Sequence, residues 1–344
     1  MSLISNGPMS AISIKDCTPK RVGIDGVIIS IVVPVSPNSD PINLTRLLAS
    51  VYDQNFSSVE VLILSEDASK WNSVCDDENG SEVRVRRLLV PQGTGASAAR
   101  NRGAANTSGN ILAFLDDDVV LGNQWCKKCV TALSDSSVGA VTGRVLVRLE
   151  EYGLDFVPES LKWVVGGTYW GSKVPISVFS AAGMNFCIKK EVFLKAGGYD
   201  ENLGPRGDRP EKARWHRLGA EDSDLAIRVW LRTGLKVVYD PNLIVEHKLR
   251  PESILLGGLF RRALHVGHNR AFIHSIHPGV GVVNDYQTFQ RLVRELSFTA
   301  KKFLRNPVHV WQSFSFTFLV VIAFGAGFLE GLLHYRHISS AMNE

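Results

Sequence analysis

The stretch Gly95–Val119, GASAARNRGAANTSGNILAFLDDDV, decides the fold of this 344-residue chain. Its first half, residues 96–106, is rich in alanine and predicts a helix. Its second half, residues 111–115, predicts a short apolar strand that ends on three consecutive carboxylates. A helix that leads into a buried strand is the repeating unit of a parallel α/β sheet, and ligands bind such sheets at the carboxyl ends of the strands. The sequence therefore predicts an α/β fold with a binding site at Asp116–Asp118.

Segments on both sides of this stretch continue the alternation of strand and helix. The run VIISIVV at residues 27–33 is apolar and β-branched, as expected of a strand that is buried on both faces. We expect one catalytic domain over residues 27–250 with a mostly parallel central sheet. A flexible leader, residues 1–26, precedes it and lacks the apolar core of a signal peptide. The other predicted strands are residues 59–64, 83–90 and 237–239, and the other predicted helices are residues 41–54, 123–133, 190–196 and 221–232.

Composition excludes several classes of protein. Hydrophobic residues make up 45% of the chain and charged residues 21%, ordinary values for a globular protein that exclude wholesale disorder and a polytopic membrane protein. The net charge of +4 is mild, and the chain lacks the dense stripe of Lys and Arg that nucleic-acid binding needs. Five scattered cysteines indicate a reducing compartment rather than a disulfide framework. Cys126 and Cys129 are expected to pack inertly, because no second Cys or His pair stands at zinc spacing.

The C-terminal hundred residues predict contact with a membrane. Residues 251–312 mix leucine and phenylalanine with arginine and histidine, which predicts an amphipathic interfacial helical region. The 24 residues between Arg305 and Glu330 include no Lys, Arg, Asp or Glu, and about 20 apolar residues cross a bilayer. We therefore predict a transmembrane or membrane-embedded helix over residues 313–335, followed by a tail, residues 336–344. A buried core helix or an in-plane hairpin is the alternative.

The charges that flank this helix predict its orientation. Lys301, Lys302 and Arg305 precede it, whereas only Arg336 follows it. Because positive charge is retained on the cytoplasmic side, we expect the catalytic domain to lie at the cell membrane and to face the cytoplasm.

Two clusters of carboxylates carry the expected chemistry. Crowded carboxylates repel one another, so Asp116–Asp118 indicate a divalent cation, Mg²⁺ or Mn²⁺, which keeps positions open for substrate phosphates. The same three residues would also suit a turn and a helix N-cap. Glu221, Asp222 and Asp224 begin a predicted helix. There they either complement the helix dipole or supply a general base to an acceptor hydroxyl.

Six motifs, in their order along the chain, resemble those of glycosyltransferase family 2, the inverting enzymes of the nucleotide-diphospho-sugar transferase (GT-A) fold. The resemblance runs from about Ser30 to His247. No Gln-x-x-Arg-Trp, which processive polysaccharide synthases of this family carry, follows the fifth motif, so transfer of a single sugar is favoured. The motifs are SIVVPVSPN, LSEDAS, GASAARNRGAANTSGNILAFLDDDV, AAGMNFCIKKEVFLKAGGYDENLG, GAEDSDLAIRVWLRTG and VVYDPNLIVEHK.

The resemblance implies an inverting glycosyltransferase that depends on Mg²⁺ or Mn²⁺. Such an enzyme would move one sugar from a nucleotide-diphospho-sugar to a glycan or lipid-linked acceptor, in the synthesis of cell-surface polysaccharides or glycoconjugates. No nucleic-acid partner is expected. Two alternatives stay open at this point. One is a membrane-tethered, non-catalytic relative that only binds, and the other is a sugar nucleotidyltransferase, which would release pyrophosphate rather than a nucleoside diphosphate.

At the donor end, the resemblance assigns roles to five residues. Pro34 and Val35 would line the nucleobase, and Arg100 would support that end of the site. Glu66 or Asp67 would accept a hydrogen bond from the base. Family members often have Asp at both positions where this chain has Glu66 and Asp67, so the identity of the nucleotide does not follow from the motif.

At the metal, the resemblance assigns Asp118 to the cation and Asp116 to both the ribose and the cation. His247 would be a further ligand, or it would be structural. The chain departs from the family in the long basic insertion at residues 205–218, which would either grip a phosphate of the acceptor or form a solvated loop.

On the acceptor side, the resemblance makes Asp222 the general base. Glu221 and Asp224 are neighbours, and either one would be the base if Asp222 were a helix cap. Gly183, Asn185 and Glu221 would lie beside the acceptor.

Overall fold

The polypeptide folds around one mixed sheet in a computed structural model that describes residues 26–36, 39–71, 83–148, 156–168, 170, 172–205, 219–249, 255–280, 282–301 and 306–341. The described residues form nine strands in the order β3-β2-β1-β4-β8-β6-β9-β5, and β7 pairs with β9. The strands are β1 (Ile29–Pro34), β2 (Val59–Ser65), β3 (Val83–Leu89), β4 (Ile111–Phe114), β5 (Val119–Leu121), β6 (Val138–Arg148), β7 (Ile176–Val178), β8 (Phe186–Lys189) and β9 (Lys236–Lys248). The helices are α1 (Pro41–Tyr52), α2 (Gly95–Ala105), α3 (Trp125–Leu133), α4 (Lys190–Ala196), α5 (Glu221–Thr233), α6 (Leu256–Ile276), α7 (Val282–Ala300) and α8 (Pro307–Ala341).

The two halves of the sheet differ in strand direction. In the N-terminal half, β1 lies between β2 and β4 and is parallel to both, and β3 is parallel to β2, as predicted. In the other half, β8 is antiparallel to β4 and β6, and β5 and β7 are antiparallel to β9. The sheet is therefore mixed rather than mostly parallel. An apolar run predicts a buried strand, but the direction depends on how the chain returns to the sheet.

Helices cover both faces of the sheet. Alternate side chains of a strand point to opposite faces, so Ile31 and Val33 pack in one core with α1 and α3, whereas Val32 packs in a second core with α2, α4 and α5. Cys126 and Cys129 of α3 are buried in the first core and form no disulfide within the described part of the chain, which agrees with inert packing. Because both faces are covered, a ligand reaches the sheet at the strand ends.

The helices α6 and α8 pack directly against each other. A Cβ on Gly267 of α6 would lie 2.0 Å from the carbonyl oxygen of Phe324, and a Cβ on Gly327 of α8 would lie 1.8 Å from that of Leu264. No side chain fits at either place, so glycine allows the two backbones to touch. The third C-terminal helix, α7, packs against the 3₁₀ helix Glu159–Val165.

A polar cluster reinforces this helix pair. His268 of α6 is 2% exposed, and its Nδ1 and Nε2 lie 2.5 Å from Glu330 Oε2 and 2.7 Å from Tyr335 Oη of α8. Both ring nitrogens thus have partners, as a buried imidazole requires. The polar contacts stabilise one alignment of α6 along α8.

The helix α8 is long and apolar enough to cross a membrane, by length and composition. Its segment Pro307–Tyr335 is the one candidate span in the part of the chain that the structure describes, with a mean hydropathy of 2.1. The predicted membrane helix, residues 313–335, lies inside α8. One face of α8 leaves large apolar side chains exposed. They include Trp311, Phe318, Ile322, Leu329 and Leu333.

Asn185 joins several strands from within the core. Its Nδ2 donates to the carbonyl oxygens of Leu243 at 2.8 Å and Arg144 at 3.3 Å, and its Oδ1 accepts from Trp125 Nε1 at 2.9 Å. The side chain is fully buried. These contacts give Asn185 a structural role rather than the expected place beside the acceptor.

Replacing Asn185 by Ala should therefore destabilise the protein. Unpairing a buried polar group costs about 1–3 kcal/mol, so we expect the free energy of unfolding to fall by at least that amount. Urea denaturation in detergent would measure the change, with Asn202→Ala, in an exposed turn, as the control. If Asn185→Ala lost turnover while unfolding at the same urea concentration as the parent, the structural role would be wrong.

Candidate active site

A cavity of about 570 Å³ opens at the carboxyl ends of β1, β2 and β4. It brings together nine of the twelve residues that the family resemblance assigned to the site. Asp67, Asn185 and His247 do not line it, although His247 lies directly behind the cavity wall, on Asp118. The nine are Pro34, Val35, Glu66, Arg100, Asp116, Asp118, Gly183, Glu221 and Asp222.

The loop after β1 and the turn after β2 form one end of the cavity. Val35 at this end donates its N–H to the carbonyl oxygen of Leu64 at 2.7 Å, so the two strand ends stay together. Glu66 lines the cavity, whereas Asp67 accepts from the N–H of Ser69 at 2.9 Å in a local turn. Between the two acidic residues predicted to contact the base, the geometry therefore favours Glu66.

Arg100 links the two carboxylate clusters. Its side chain is 5% exposed, its Nη2 lies 2.9 Å from Asp116 Oδ1, and its Nη1 lies 3.5 Å from Glu221 Oε1. The guanidinium carbon lies 5.4 Å from the centre of the Tyr199 ring, within cation–π distance. A buried arginine between two carboxylates holds β4, which precedes the Asp cluster, and α5 at a constant distance.

Asp118 and His247 form a second polar pair. Asp118 precedes β5, and Val119 of β5 is opposite His247 of β9, so the sheet register brings the two side chains together. His247 Nε2 lies 3.4 Å from Asp118 Oδ2, and its Nδ1 lies 3.3 Å from the carbonyl oxygen of Gly166. Burial opposes charging of His247, but the hydrogen bond and the charge of Asp118 outweigh it and raise the pKa of the imidazole.

These residues fit a divalent cation that completes its ligand set from a substrate. Asp118 Oδ1 is buried and has no hydrogen-bond partner among the described residues, as expected of an oxygen that awaits a ligand. In the same part of the chain, no group of three or more His, Cys, Asp or Glu side chains is arranged to hold a metal ion by itself. Mg²⁺ often takes one or two carboxylates and fills its other positions with phosphate oxygens and water. Asp116, the other predicted ligand, is already paired through Oδ1 with Arg100.

Asp222 is the carboxylate best suited to accept a proton. Its Oδ2 accepts the N–H of Gly183 at 3.1 Å, and its Oδ1 is buried without a partner in the described structure. Burial, together with the charge of Glu221, raises the pKa of Asp222 to about 7, although Arg100 opposes the shift. A carboxyl with a pKa near neutrality is an efficient general base at physiological pH.

The two alternative bases are engaged elsewhere. Asp224 Oδ2 accepts from Arg228 at 2.6 Å and 2.9 Å, and Asp224 Oδ1 lies 2.9 Å from His277 Nε2. Burial would raise the pKa of Asp224, but these partners outweigh it and lower the pKa, and the residue does not line the cavity. Glu221 lies beside Arg100 and accepts the N–H of Ala220 at 3.0 Å. The geometry thus favours Asp222.

Substitution of Gly183 by Ala should displace the base. A Cβ on Gly183 would lie 2.4 Å from Asp222 Oδ2 and 2.5 Å from Oδ1, so the carboxylate must move. A displacement of about 1 Å costs roughly 10²-fold in rate, and we expect a loss of this size in kcat with donor affinity retained. Gly257→Ala is the control, because no described atom lies within 4 Å of a Cβ there. Equal kcat values for the two variants would contradict the proximity argument.

The chain is similar to several known glycosyltransferases. The profile of the family described as "Glycosyl transferase family 2" matches residues 30–194. The chain is 31% identical over 239 residues to "Glycosyltransferase AglE" of Haloferax volcanii, and the match covers 68% of this chain and 71% of that protein. The chain belongs to glycosyltransferase family 2.

This family 2 glycosyltransferase has a second relative of nearly equal length. It is 24% identical over 294 residues to "Glucosyl-dolichyl phosphate glucuronosyltransferase" of Haloferax volcanii, which covers 85% of this chain and 92% of that protein. Among solved structures it is similar to the mannosyltransferase PcManGT from Pyrobaculum calidifontis, with a TM-score of 0.55, 17% identity, and coverage of 88% of this chain and 86% of that one. The glycosyltransferase therefore has the predicted GT-A fold.

Two residues of this glycosyltransferase acquire roles that the sequence did not predict. Asp117 accepts the N–H of Ser36 at 3.0 Å and so joins the Asp cluster to the loop after β1. Burial raises its pKa to about 6, with smaller increases from its acidic neighbours. Tyr199 lies under Arg100, and burial raises the pKa of its hydroxyl. Asp117 belongs to the Asp triplet and Tyr199 to the GGYDENLG segment, both of which the sequence analysis singled out. A motif does not show which residues its members contact in the fold. Residues 206–218, which are all but the first residue of the basic insertion at residues 205–218, lie outside the described residues.

Proposed function

We propose that this family 2 enzyme is an inverting, metal-dependent glycosyltransferase that moves one sugar from a nucleotide-diphospho-sugar to a lipid-linked or glycan acceptor. The observation that carries the proposal is that Asp222, with one oxygen unpartnered among the described residues, lines the same cavity as Asp116 and Asp118. A base and a cation-binding carboxylate in one cavity are what a hydroxyl attack with a diphosphate leaving group needs.

The donor would occupy the cavity between the strand ends. A volume of about 570 Å³ lies in the usual range for a small-molecule site. In the proposal, Pro34, Val35 and Glu66 contact the nucleobase, and Asp116, oriented by Arg100, lies beside the ribose. The neighbour PcManGT was solved in complex with GDP-Man and Mn²⁺, which supports a donor and a divalent ion of this kind.

Asp118 and His247 would hold the cation, Mg²⁺ or Mn²⁺. The unpartnered Oδ1 of Asp118 and the adjacent imidazole, within the described part of the site, are the donors that fit it. When bound, the cation would supply positive charge to the departing diphosphate. Despite its burial, the hydrogen bond and the charge of Asp118 raise the pKa of His247, and its ring nitrogen would bind the cation in the neutral form of the imidazole.

Asp222 would take the proton of the acceptor hydroxyl. The N–H of Gly183 holds Oδ2, so Oδ1, which has no partner among the described residues, would accept the proton as the hydroxyl attacks the anomeric carbon. The attack on one face expels the nucleoside diphosphate from the other, and this single displacement inverts the anomeric configuration. An alcohol is a weak nucleophile at neutral pH, so the reaction needs a base within hydrogen-bond reach.

The acceptor would be presented at a membrane. The relative named "Glucosyl-dolichyl phosphate glucuronosyltransferase" acts, by its name, on a lipid-linked phosphate, and α8 is a candidate span. We therefore favour a lipid-linked acceptor, with the catalytic domain on the cytoplasmic side. Sedimentation with membranes, and protection from protease added outside intact cells, would support this arrangement. A protein that stays soluble without detergent would contradict the attachment, and cleavage of the catalytic domain would contradict the orientation.

Product analysis tests the reaction itself. Purified protein, with and without membrane extract, is incubated with a panel of nucleotide sugars and Mn²⁺ or Mg²⁺. We expect release of a nucleoside diphosphate and a product of inverted anomeric configuration. In a parallel incubation with nucleoside triphosphates and sugar 1-phosphates, formation of a nucleotide sugar with release of pyrophosphate would identify a nucleotidyltransferase instead. Donor binding with no turnover on any acceptor fraction would identify a binding protein. Retention of configuration would contradict the single displacement.

A further inference from the structure

One face of α6 contacts the turn that carries Asp222. His265, Asn269 and His277 lie at intervals of four and eight residues, so they belong to one side of the helix and its C-terminal end. A Cβ on Gly219 would lie 3.1 Å from Asn269 Nδ2 and 3.5 Å from His265 Nε2. The chain leading into α5 therefore rests on α6.

The same helix also contacts the far side of the turn. His277, which follows the last residue of α6, places Nε2 2.9 Å from Asp224 Oδ1. Asp224 also donates its own N–H to the carbonyl oxygen of Ala220 at 2.8 Å, and Arg228 holds its second carboxylate oxygen. The contacts from α6 thus lie on both sides of Asp222 in sequence.

The turn between these contacts is strained. Ala220 has a φ of 145° and a ψ of 10°, a conformation that glycine adopts freely and alanine does not. A strained residue persists only where the surrounding structure holds it. The contacts with α6 provide this support, since they hold Gly219, immediately before the strained residue, and Asp224, four residues after it.

We propose that α6 positions the general base, with His277 and Asn269 as positioning residues that hold the Gly219–Asp224 turn in its strained conformation. The proposal rests on the role of Asp222 proposed above. Because α6 also packs against α8, the candidate membrane helix, the same contacts connect membrane attachment to the geometry of the active site. Neither residue touches the reacting atoms, so both act through the position of Asp222.

Removal of the His277 side chain tests this proposal. In the full-length protein, His277→Ala should lower kcat by roughly tenfold through displacement of the base, with the donor KM unchanged. His277→Gln, which keeps a polar group able to reach Asp224, should recover most of the loss. The control is Ser275→Ala on the same helix, whose hydroxyl bonds only to the Phe272 carbonyl among the contacts of the described structure. Equal kcat for His277→Ala and Ser275→Ala would overturn the proposal.

A double substitution separates positioning from a general loss of folding. Glycine adopts the Ala220 backbone conformation without strain, so a turn with Ala220→Gly depends less on its support. In that background, the effect of His277→Ala on kcat should shrink from roughly tenfold to less than about threefold. If His277→Ala lowered kcat by the same factor with and without Ala220→Gly, the proposal would be overturned. If His277→Ala does not yield folded protein, Asn269→Ala supports the same comparison.

Measurement of Asp222→Asn in parallel distinguishes failure of the proposed function from failure of the positioning role alone. Normal turnover in Asp222→Asn would reject the proposed function and, with it, this inference. Loss of turnover in Asp222→Asn with no dependence on His277 or Asn269 would reject the positioning role alone.

Discussion

Replacing Asp222 by Asn is expected to lower turnover by roughly 10²- to 10⁴-fold, the range of a general base. The substitution keeps the size of the side chain and its bond from the Gly183 N–H, but it removes the unpartnered oxygen's ability to take a proton. Donor affinity should persist, because the proposed nucleotide site lies at the other end of the cavity. Steady-state kinetics and donor titration on the same preparation would measure the two quantities.

The pH dependence follows from the same residue. Burial and the charge of Glu221 raise the pKa of Asp222 to about 7, so the carboxyl is protonated and inactive as a base below that pH. Turnover of the parent protein should therefore rise with pH through about 7, and this ascending limb should disappear in Asp222→Asn. The control is Asp53→Asn, an exposed carboxyl at the end of α1, which should keep both the rate and the limb. Near-normal turnover in Asp222→Asn would mean that another group is the base.

Removal of the proposed cation, or of Asp118 as its proposed ligand, should produce a loss of similar size. Asp118→Ala takes away the unpartnered Oδ1 and the contact with His247, so we expect turnover to fall by roughly 10²-fold or more, as on loss of one preorganised electrostatic group. Chelation with EDTA should abolish turnover in the parent protein, and excess Mn²⁺ or Mg²⁺ should restore it.

The matched control for this residue is Asp135→Asn, an exposed carboxyl in the turn after α3. It should keep the activity and the metal dependence of the parent. For Asp118→Ala we further expect weaker binding of Mn²⁺ in the presence of donor, which a direct titration would detect. Full activity in EDTA, or in Asp118→Ala, would contradict the assigned metal role.

The local sequence pattern predicted the strands and the helix that position the site residues. The apolar runs at residues 59–64 and 111–115 became β2 and β4, and the helix predicted at residues 221–232 became α5 with a difference of one residue. These elements are set by short-range periodicity, which a linear sequence displays directly. The strands β6 and β8 were not evident, because their residues pair with distant parts of the chain and show no separate alternation.

The roles of individual residues depended on contacts that the pattern does not contain. Asn185 and Gly183 stand two residues apart in one motif, yet Gly183 donates to Asp222 while Asn185 bonds to Trp125 in the core. Asp222 and Asp224 are both aspartates at the start of the same helix, and the sequence alone does not distinguish their roles. The contacts with Arg228 and His277, which only the folded chain forms, show that Asp224 is already engaged.

The sequence by itself determined the family, the order of the motifs and the place of the carboxylates at a strand end, because each of these is carried by residues close together in the chain. The tertiary structure alone decided which carboxylates of the site have a buried, unpartnered oxygen among the described residues, which ones are paired, and that α6 contacts both sides of the Asp222 turn. The physical reason is that a pKa and a position depend on burial and on partners. Arg100 and Glu221, or His277 and Asp224, become neighbours only when the chain folds.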